Sequence, residues 1–211
     1  YDKTDSVYPL GFGNNVNRIV AINVDANKTI MPFDTSIYLT RYQQNSNFKD
    51  ISELLNNTYQ TLHAYFDTNY FYRINGERIN NLKSLNNSYG TNEYLEVPFE
   101  LYDVLEKAQE LTILTEGKFN VAIGELATLW NNYIINSKDN FSADKPSEEE
   151  ISNALKNTPK YDEIEKLLSF KKENNKYYIR LNVLENYEKI SLSLGAIGKG
   201  YANDIMEKKL P

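Results

Sequence analysis

After Asp50 the chain carries an apolar stripe with a helical period. Apolar side chains recur at steps of three and four residues, which predicts a helix of about five turns. Asp50 has a side chain that caps helices well, so we expect the helix to begin there. A chain with this stripe must bury one face of the helix against a core. The stripe consists of Ile51, Leu54, Leu55, Tyr59, Leu62, Tyr65 and Phe66.

Two further helices are predicted in the middle of the chain. Pro98 suits a first helical position, and the apolar stripe that follows it ends at Gly117. Residues 121–131 form another helical stretch, which Gly124 interrupts. The stripe after Pro98 consists of Leu101, Val104, Leu105, Ala108 and Leu111.

The last third of the chain has two clear helix starts. Ser147 and Glu150 have the spacing of a capping box, which predicts a short helix that ends near Asn157. The glycine-rich residues 195–201 open a final helix that is expected to end at Pro211.

Short segments with alternating polar and apolar residues separate the helices, as half-buried strands do. Residues 73–93, rich in glycine and asparagine, predict a loop or paired short strands, and residues 136–146 predict an exposed excursion. We expect residues 1–27 to form an irregular lead-in to one folded region over residues 28–211. The mixture of helices and antiparallel-looking strands indicates the α+β class. The predicted strands cover residues 29–42, 94–97, 177–183 and 190–194.

The composition of the 211 residues excludes several classes of function. The absence of cysteine excludes disulfides, thiolate zinc sites and cysteine nucleophiles. A single histidine, His63, excludes a multi-histidine metal site. With a net charge of −6 and no basic tract, the chain is not expected to bind nucleic acid. No stretch approaches the roughly 20 apolar residues that span a bilayer.

Three glycines lie where the predicted strand over residues 190–194 meets the final helix. Gly195, Gly198 and Gly200 would let backbone amides approach a ligand, and a helix N-terminus favours anions. Lys199 opposes the helix dipole unless it faces an anion. The spacing matches neither the dinucleotide fingerprint nor the P-loop. The residues alone therefore leave two interpretations open, a phosphate site or a glycine-rich turn with a solvated lysine.

A second glycine-containing stretch covers residues 115–130. Gly117 is expected to end one helix, and Asn120 could cap the next. Trp130 is the only tryptophan of the chain. Because it lies among leucines, we expect it to anchor the core rather than to stack on a ligand.

Together the two stretches resemble the signature of the ApbE-type flavin transferases (FAD:protein FMN transferases). Members of that family carry a segment like T-x-G-x-[FM]-[DN]-x-[TA]-[VIL]-G-x-[LV]-x-x-[LI]-W, which resembles residues 115–130. They also carry a segment like L-G-[AG]-[IV]-[AG]-K-G-Y-A-x-D, which resembles residues 194–204. Residues 30–39 and 79–87 are similar to two further family segments.

The resemblance implies a T-fold-like α+β structure with mixed sheets packed against helices. Family members cleave the pyrophosphate of FAD with a divalent metal, usually Mg²⁺, and link FMN through a phosphoester to a Thr or Ser of a partner protein. Some hydrolyse FAD to FMN and AMP instead. Most act outside the cytoplasmic membrane, frequently as lipoproteins. The resemblance therefore implies an extracytoplasmic, membrane-associated protein. It also implies that an N-terminal lipid-anchor segment, which would attach the protein to the membrane, has been removed from this sequence.

The resemblance also implies which residues bind FAD and the metal. Ala196 would offer its backbone carbonyl to Mg²⁺. Lys199 would then face a phosphate, which favours the functional interpretation of that lysine over the solvated one. The residues implied to bind the flavin nucleotide are Met31, Tyr72, Lys118, Phe119, Asn120, Ser193 and Lys199.

The sequence departs from the family pattern in three respects. Asn120 and Ser193 each stand where the family commonly has Asp. Family members also continue into a region that supplies the Asp and Thr metal ligands, and the chain has no match to it. We therefore expect the N-terminal portion of a truncated transferase, inactive or severely impaired alone, with its catalytic residues in the missing region. A non-catalytic flavin-binding protein is the alternative from another class.

Overall fold

The computed structural model of the chain describes residues 6–9, 17–20, 38–41, 48–136 and 144–209. In these residues helices alternate with small antiparallel sheets, which confirms the predicted α+β class. None of the described helices is long and apolar enough to cross a bilayer. The chain divides into two compact units, and each is described by itself.

The first unit comprises residues 1–63 and 199–211. Its three strands pair antiparallel in chain order. The hydroxyl of Tyr59 donates a hydrogen bond to the side-chain oxygen of Asn203 and so joins the two helices of the unit. The elements are β1 (Ser6–Pro9), β2 (Asn17–Val20), β3 (Tyr38–Arg41), α1 (Phe48–Phe66, which runs on into the second unit) and α7 (Gly198–Lys209, which begins in it).

The helix predicted after Asp50 is confirmed, with corrections around it. Helix α1 begins at Phe48, so Asp50 lies inside the helix rather than at its N-cap. Residues 1–27, predicted to be irregular, contain β1 and β2. The strand predicted over residues 29–42 is described only at β3, and Met31 lies outside the described residues.

The second unit comprises residues 64–198. Strands β4 and β5 form a short hairpin, and β6, β8 and β7 form an antiparallel sheet in that order. The elements are β4 (Arg73–Ile74), β5 (Glu77–Arg78), α2 (Leu82–Asn86), β6 (Leu95–Val97), α3 (Phe99–Leu114), α4 (Gly124–Asn136), α5 (Glu148–Leu155), α6 (Ile164–Leu167), β7 (Leu168–Glu173) and β8 (Lys176–Leu181).

Helix α3 buries its predicted stripe against the β6–β8–β7 sheet. Pro98 is the N-cap and lies one position before the first helical residue, which it was predicted to be. The helix ends before Gly117, as predicted. Leu111 is exposed, and its neighbour Thr112 is buried instead and donates to the carbonyl of Ala108 at 2.8 Å. Burying one leucine side chain completely stabilises the folded state by about 1.5–3 kcal/mol relative to leaving it exposed. The residues of the stripe that are fully buried are Leu101, Val104, Leu105 and Ala108.

Local signals also account for α5 and for the β7–β8 hairpin. The Ser147 hydroxyl accepts from the Glu150 amide at 3.2 Å, and the Glu150 carboxylate accepts from the Ser147 amide at 2.8 Å, which confirms the capping box. Strand β7 was not predicted. Asn174 and Asn175 have φ values of 51° and 61° between paired strands. Such an asparagine pair is typical of a two-residue hairpin turn and was the signal for β7.

One hydrogen bond of the second unit predicts a pH dependence. Burial, followed by a 2.6 Å hydrogen bond to the Glu163 carboxylate, raises the pKa of Tyr187 to about 12 from 10.0. Since the folded-state pKa is the higher one, this stabilisation is complete below pH 10 and is lost as the pH rises towards 12.

We therefore expect Tyr187→Phe to lower the free energy of unfolding by about 1 kcal/mol at pH 8. The variant should also lose less stability than the unchanged chain between pH 10 and 12. Urea denaturation across this pH range measures both effects. Tyr161→Phe, which removes the hydroxyl of a nearby exposed ring, is the control and should match the unchanged chain. Identical pH profiles for Tyr187→Phe and the control would contradict the prediction.

Candidate functional site

The glycine-containing stretch over residues 115–130 meets residues 191–193, just before the second such stretch, in the second unit. The amide of Gly124 donates to the carbonyl of Ser191 at 2.8 Å, and the amide of Ser193 donates to the carbonyl of Val121 at 2.8 Å. These bonds join two parts of the chain that lie far apart in the sequence. Part of the stretch over residues 115–130 therefore forms one structural site with residues 191–193, which lead into the second family stretch.

Gly124 allows this close approach because it has no side chain. A Cβ atom built on Gly124 would lie 2.6 Å from the carbonyl oxygen of Ser191 and 2.7 Å from its carbonyl carbon. Carbon atoms cannot approach a backbone carbonyl so closely without displacing it. Gly124 is also the first residue of α4, so the helix predicted over residues 121–131 begins three residues later than expected.

The prediction of a strand over residues 190–194 is wrong, because the backbone groups of this segment form hydrogen bonds with groups that do not belong to a strand. The side-chain oxygen of Asn86 accepts from the amide of Leu192 at 2.8 Å, and the Asn86 nitrogen donates to the Leu192 carbonyl at 3.1 Å. The neighbouring Ser191 and Ser193 bond to the α3–α4 connection. The segment is thus held on both edges without a partner strand.

Lys118, Phe119 and Asn120 lie together in the turn between α3 and α4. Lys118 is exposed, whereas Phe119 and Asn120 are half-buried. The Thr115 hydroxyl accepts from the Phe119 amide at 3.1 Å and donates to the Leu111 carbonyl at 2.7 Å. The turn is therefore fastened to the end of α3.

The side chain of Asn120 explains one departure from the family pattern. Its oxygen accepts from the Ala122 amide at 2.9 Å, and its nitrogen donates to the Pro159 carbonyl at 2.9 Å. An aspartate could not donate the second bond. Because α4 begins at Gly124, Asn120 forms an Asx turn and not the predicted helix cap.

Tyr72 lies in the loop that follows α1. Its hydroxyl donates to the Asp67 carboxylate at 2.6 Å, and burial together with Asp67 raises the pKa of Tyr72. Asn81, which is fully buried, donates to the carbonyls of Ala64 and Tyr70 at 3.0 and 2.8 Å. The side chains of Asn81 and Asp67 thus fix the loop that carries Tyr72.

A cleft of about 350 Å³ lies beside Ser193. None of its lining side chains is charged. Trp130 is 41% exposed and lines the cleft, so the expectation that it anchors the core is wrong. The cleft is lined by residues of the loop after α1 and of α4 and by residues 191–193, which we call the 190s segment. They are Thr68, Asn69, Gly124, Ala127, Thr128, Trp130, Asn131, Asn132, Ile134, Ser191, Leu192 and Ser193.

Ala196 and Lys199 follow the cleft along the chain. Ala196 is exposed in a turn that the Gly198 amide closes by donating to the Leu194 carbonyl at 2.7 Å. Lys199 is exposed in the first turn of α7, as predicted, and belongs to the first unit. Its role and that of Ala196 stay predictions.

The predicted magnesium site is not formed by the described residues alone. Within that part of the chain, no group of three or more His, Cys, Asp or Glu side chains could hold a metal ion. Hard cations such as Mg²⁺ prefer carboxylate oxygens, and one backbone carbonyl at Ala196 does not supply that set.

Sequence reasoning missed the roles of Asn81 and Asn86, although both lie in the segment that resembles the family. Neither residue belongs to a recognisable sequence motif. Its hydrogen-bond partners are backbone groups of residues that lie well away in the sequence, and these partners cannot be identified without the fold. The excess of asparagine in the chain also hid them, since most of the asparagines whose burial the structure describes are exposed.

Comparisons with known proteins match the chain to one family. The model of the ApbE family matches residues 33–210. An ApbE protein from Thermotoga maritima is 25% identical with a TM-score of 0.58, and the match covers 85% of this chain and 50% of that one. No curated protein matches the chain.

Two solved flavin transferases have the same fold at lower identity. A mutant of the flavin transferase ApbE from Vibrio cholerae is 20% identical with a TM-score of 0.58, and the match covers 92% of this chain and 56% of that one. The apo flavinyl transferase ApbE from Pseudomonas stutzeri is 17% identical with a TM-score of 0.55, over 82% and 47%. The chain spans about half the length of the structures that it matches. With the family model matched over residues 33–210, the chain belongs to the ApbE family.

Proposed function

We propose that the chain forms the flavin-nucleotide part of an FAD:protein FMN transferase. The observation that carries the proposal is the direct hydrogen bonding of residues 121–124 to residues 191–193. It brings part of the stretch over residues 115–130 to one cleft with residues 191–193, which come just before the second family stretch. Family membership and the likeness to flavin transferases support the same activity.

The proposed reaction transfers FMN from FAD to a protein hydroxyl. The bond between the FMN phosphorus and the bridging pyrophosphate oxygen breaks, and AMP leaves with that oxygen. A new bond forms between the phosphorus and the oxygen of a Thr or Ser of the acceptor protein, whose proton is released. A bound Mg²⁺ would polarise the phosphoryl oxygens.

The chain's own groups would bind and orient the nucleotide. The cleft beside Ser193 is uncharged, so it suits a neutral part of FAD rather than its phosphates. The exposed ammonium group of Lys118 would bind phosphate oxygens. The family resemblance implies the same role for the exposed Lys199 of the first unit. Tyr72, Phe119 and Asn120 would contact the nucleotide from the turns that hold them.

The cellular setting of this proposal follows the family. We propose an extracytoplasmic, membrane-associated protein that acts on a protein acceptor and is attached through an N-terminal lipid anchor. Detection of the protein in a washed membrane fraction, accessible to protease from outside the membrane, tests the localisation. Recovery only from the cytoplasm would contradict it.

Incubation of the chain with FAD, MgCl₂ and an acceptor protein tests the activity. As acceptor we would use a protein that an ApbE-family enzyme is known to flavinylate. We expect AMP release, together with a mass increase of the acceptor equal to an added FMN phosphoester. The same incubation without acceptor measures hydrolysis.

The outcomes separate three functions. Flavinylated acceptor supports the transferase. AMP release without flavinylation overturns it in favour of an FAD pyrophosphatase. Saturable FAD binding without AMP release overturns it in favour of a non-catalytic flavin-binding protein, which the lack of a metal-ligand group among the described residues favours as second candidate.

Lys199→Ala is expected to weaken FAD binding about tenfold, because a charge-assisted hydrogen bond to phosphate contributes about 1.5–3 kcal/mol. Calorimetric titration with FAD measures the effect. Lys208→Ala removes an exposed lysine from the last turn of the same helix and is the matched control. Equal affinities for the two variants would remove Lys199 from the site.

A further inference from the structure

We propose that Asn86 is a positioning residue for the nucleotide site, because its amide fixes the backbone of Leu192 between Ser191 and Ser193. The inference rests on the proposed flavin function, since it concerns the same site. It adds a residue that acts through the protein backbone and has no contact with FAD assigned to it.

The contact between Asn86 and Leu192 imitates the pairing of two strands. The Asn86 oxygen accepts from the Leu192 amide at 2.8 Å and its nitrogen donates to the Leu192 carbonyl at 3.1 Å, across 106 residues of sequence. Leu192 is fully buried, so water cannot replace a lost partner. Both backbone groups of Leu192 therefore depend on one side chain.

The opposite edge of the segment is fixed by backbone groups. Gly124 donates to the carbonyl of Ser191, and Ser193 donates to the carbonyl of Val121. With both edges held, the segment cannot rotate about its own axis. Ser191 and Ser193 consequently line the cleft on either side of the buried Leu192.

A primary amide is the side chain that suits this position. It presents one donor and one acceptor in a single plane at the spacing of a peptide group. Aspartate has almost the same shape but keeps only the acceptor. It would place a charged oxygen against the Leu192 carbonyl, which breaks one bond and adds a repulsion.

The test compares Asn86→Asp with Asn87→Asp in the full chain. Asn87 is the exposed neighbour, so the control makes the same chemical change without the contact. We expect Asn86→Asp to bind FAD about tenfold more weakly, equal to about 1.4 kcal/mol. We also expect faster amide hydrogen exchange in the peptide around Leu192. Asn87→Asp should change neither quantity.

A second control separates positioning from general loss of stability. Tyr187→Phe removes the hydrogen bond to Glu163 in the same unit, leaves both Asn86 bonds in place and is expected to leave the FAD affinity unchanged. All titrations are made where near-UV circular dichroism shows the variants to be folded. If Asn86→Asp does not fold, Asn86→Ser, which replaces the amide with an uncharged hydroxyl, carries the same comparison with a smaller expected loss.

The outcomes distinguish this inference from the proposed function. An unchanged chain that does not bind FAD overturns the proposed function and this role with it. Binding by the unchanged chain, with equal affinity in Asn86→Asp, overturns the role of Asn86 alone. Unaltered exchange around Leu192 in Asn86→Asp also overturns it. Weaker binding with faster exchange, absent from both controls, supports it.

Discussion

Replacing Asn81 with aspartate is expected to lower the free energy of unfolding by about 3–4 kcal/mol. Asn81 is fully buried, and its nitrogen donates to the carbonyls of Ala64, Asp67 and Tyr70 at 3.0, 3.3 and 2.8 Å. The substitution would place a carboxylate oxygen against these three carbonyls. A buried charge that faces acceptors alone is among the most costly changes in a protein core.

The helix cap at Asn81 does not rescue the variant. The Asn81 oxygen accepts from the Ser84 amide at 3.2 Å, and aspartate would keep that bond. A loss below 1 kcal/mol would therefore show that the cap, and not the contacts of the Asn81 nitrogen with the three carbonyls, carries the stability. Urea denaturation measures the effect. The control is Asn87→Asp, at the exposed residue after the other end of α2, which should lower the free energy of unfolding by less than about 1 kcal/mol.

Replacing Gly124 with alanine is expected to lower the free energy of unfolding by about 2–3 kcal/mol and to open the contact between residues 121–124 and residues 191–193. The added methyl group would lie 2.6 Å from the carbonyl oxygen of Ser191, which is backbone and cannot rotate away. The α3–α4 connection and the 190s segment must then separate. We therefore expect weaker FAD binding as well as lower stability.

Gly200→Ala is the matched control for Gly124→Ala. Both glycines lie in helices, but a methyl group at Gly200 would meet nothing within 4 Å. In a helix interior this change is expected to stabilise by about 0.5–1 kcal/mol. Denaturation of both variants measures the difference. Similar stability changes at the two positions would show that the backbones do not meet closely at Gly124.

The predictable part of the fold was local. The stripe of α3 and the capping box of α5 were confirmed because each depends on residues within one or two turns of helix. The segment 190–194 had an equally regular pattern and was predicted wrongly. Alternation indicates which side chains are buried, whereas a strand also needs a partner. That partner was replaced by the side chain of Asn86 and the backbones of Val121 and Gly124.

The sequence predicted which two stretches contain the candidate site, but it did not predict which of their residues lie close together. Spacing in the sequence identified residues 115–130 and 194–204, and only the fold brings the first beside residues 191–193. Trp130 shows a second limit. Its position among leucines favoured the core, yet it lies on the face of α4 that lines the cleft. Which face of a helix is covered depends on elements elsewhere in the chain.

Titration of the chain with FAD, followed through the emission of Trp130, tests the central claim most directly. Trp130 is the only tryptophan and lines the cleft beside Ser193, and flavin absorbs where tryptophan emits. If the cleft between α4 and residues 191–193 forms part of a flavin-nucleotide site, FAD should quench the emission saturably and adenosine should not quench it. Emission that FAD leaves unchanged, apart from the loss of light by its own absorption, would contradict the account.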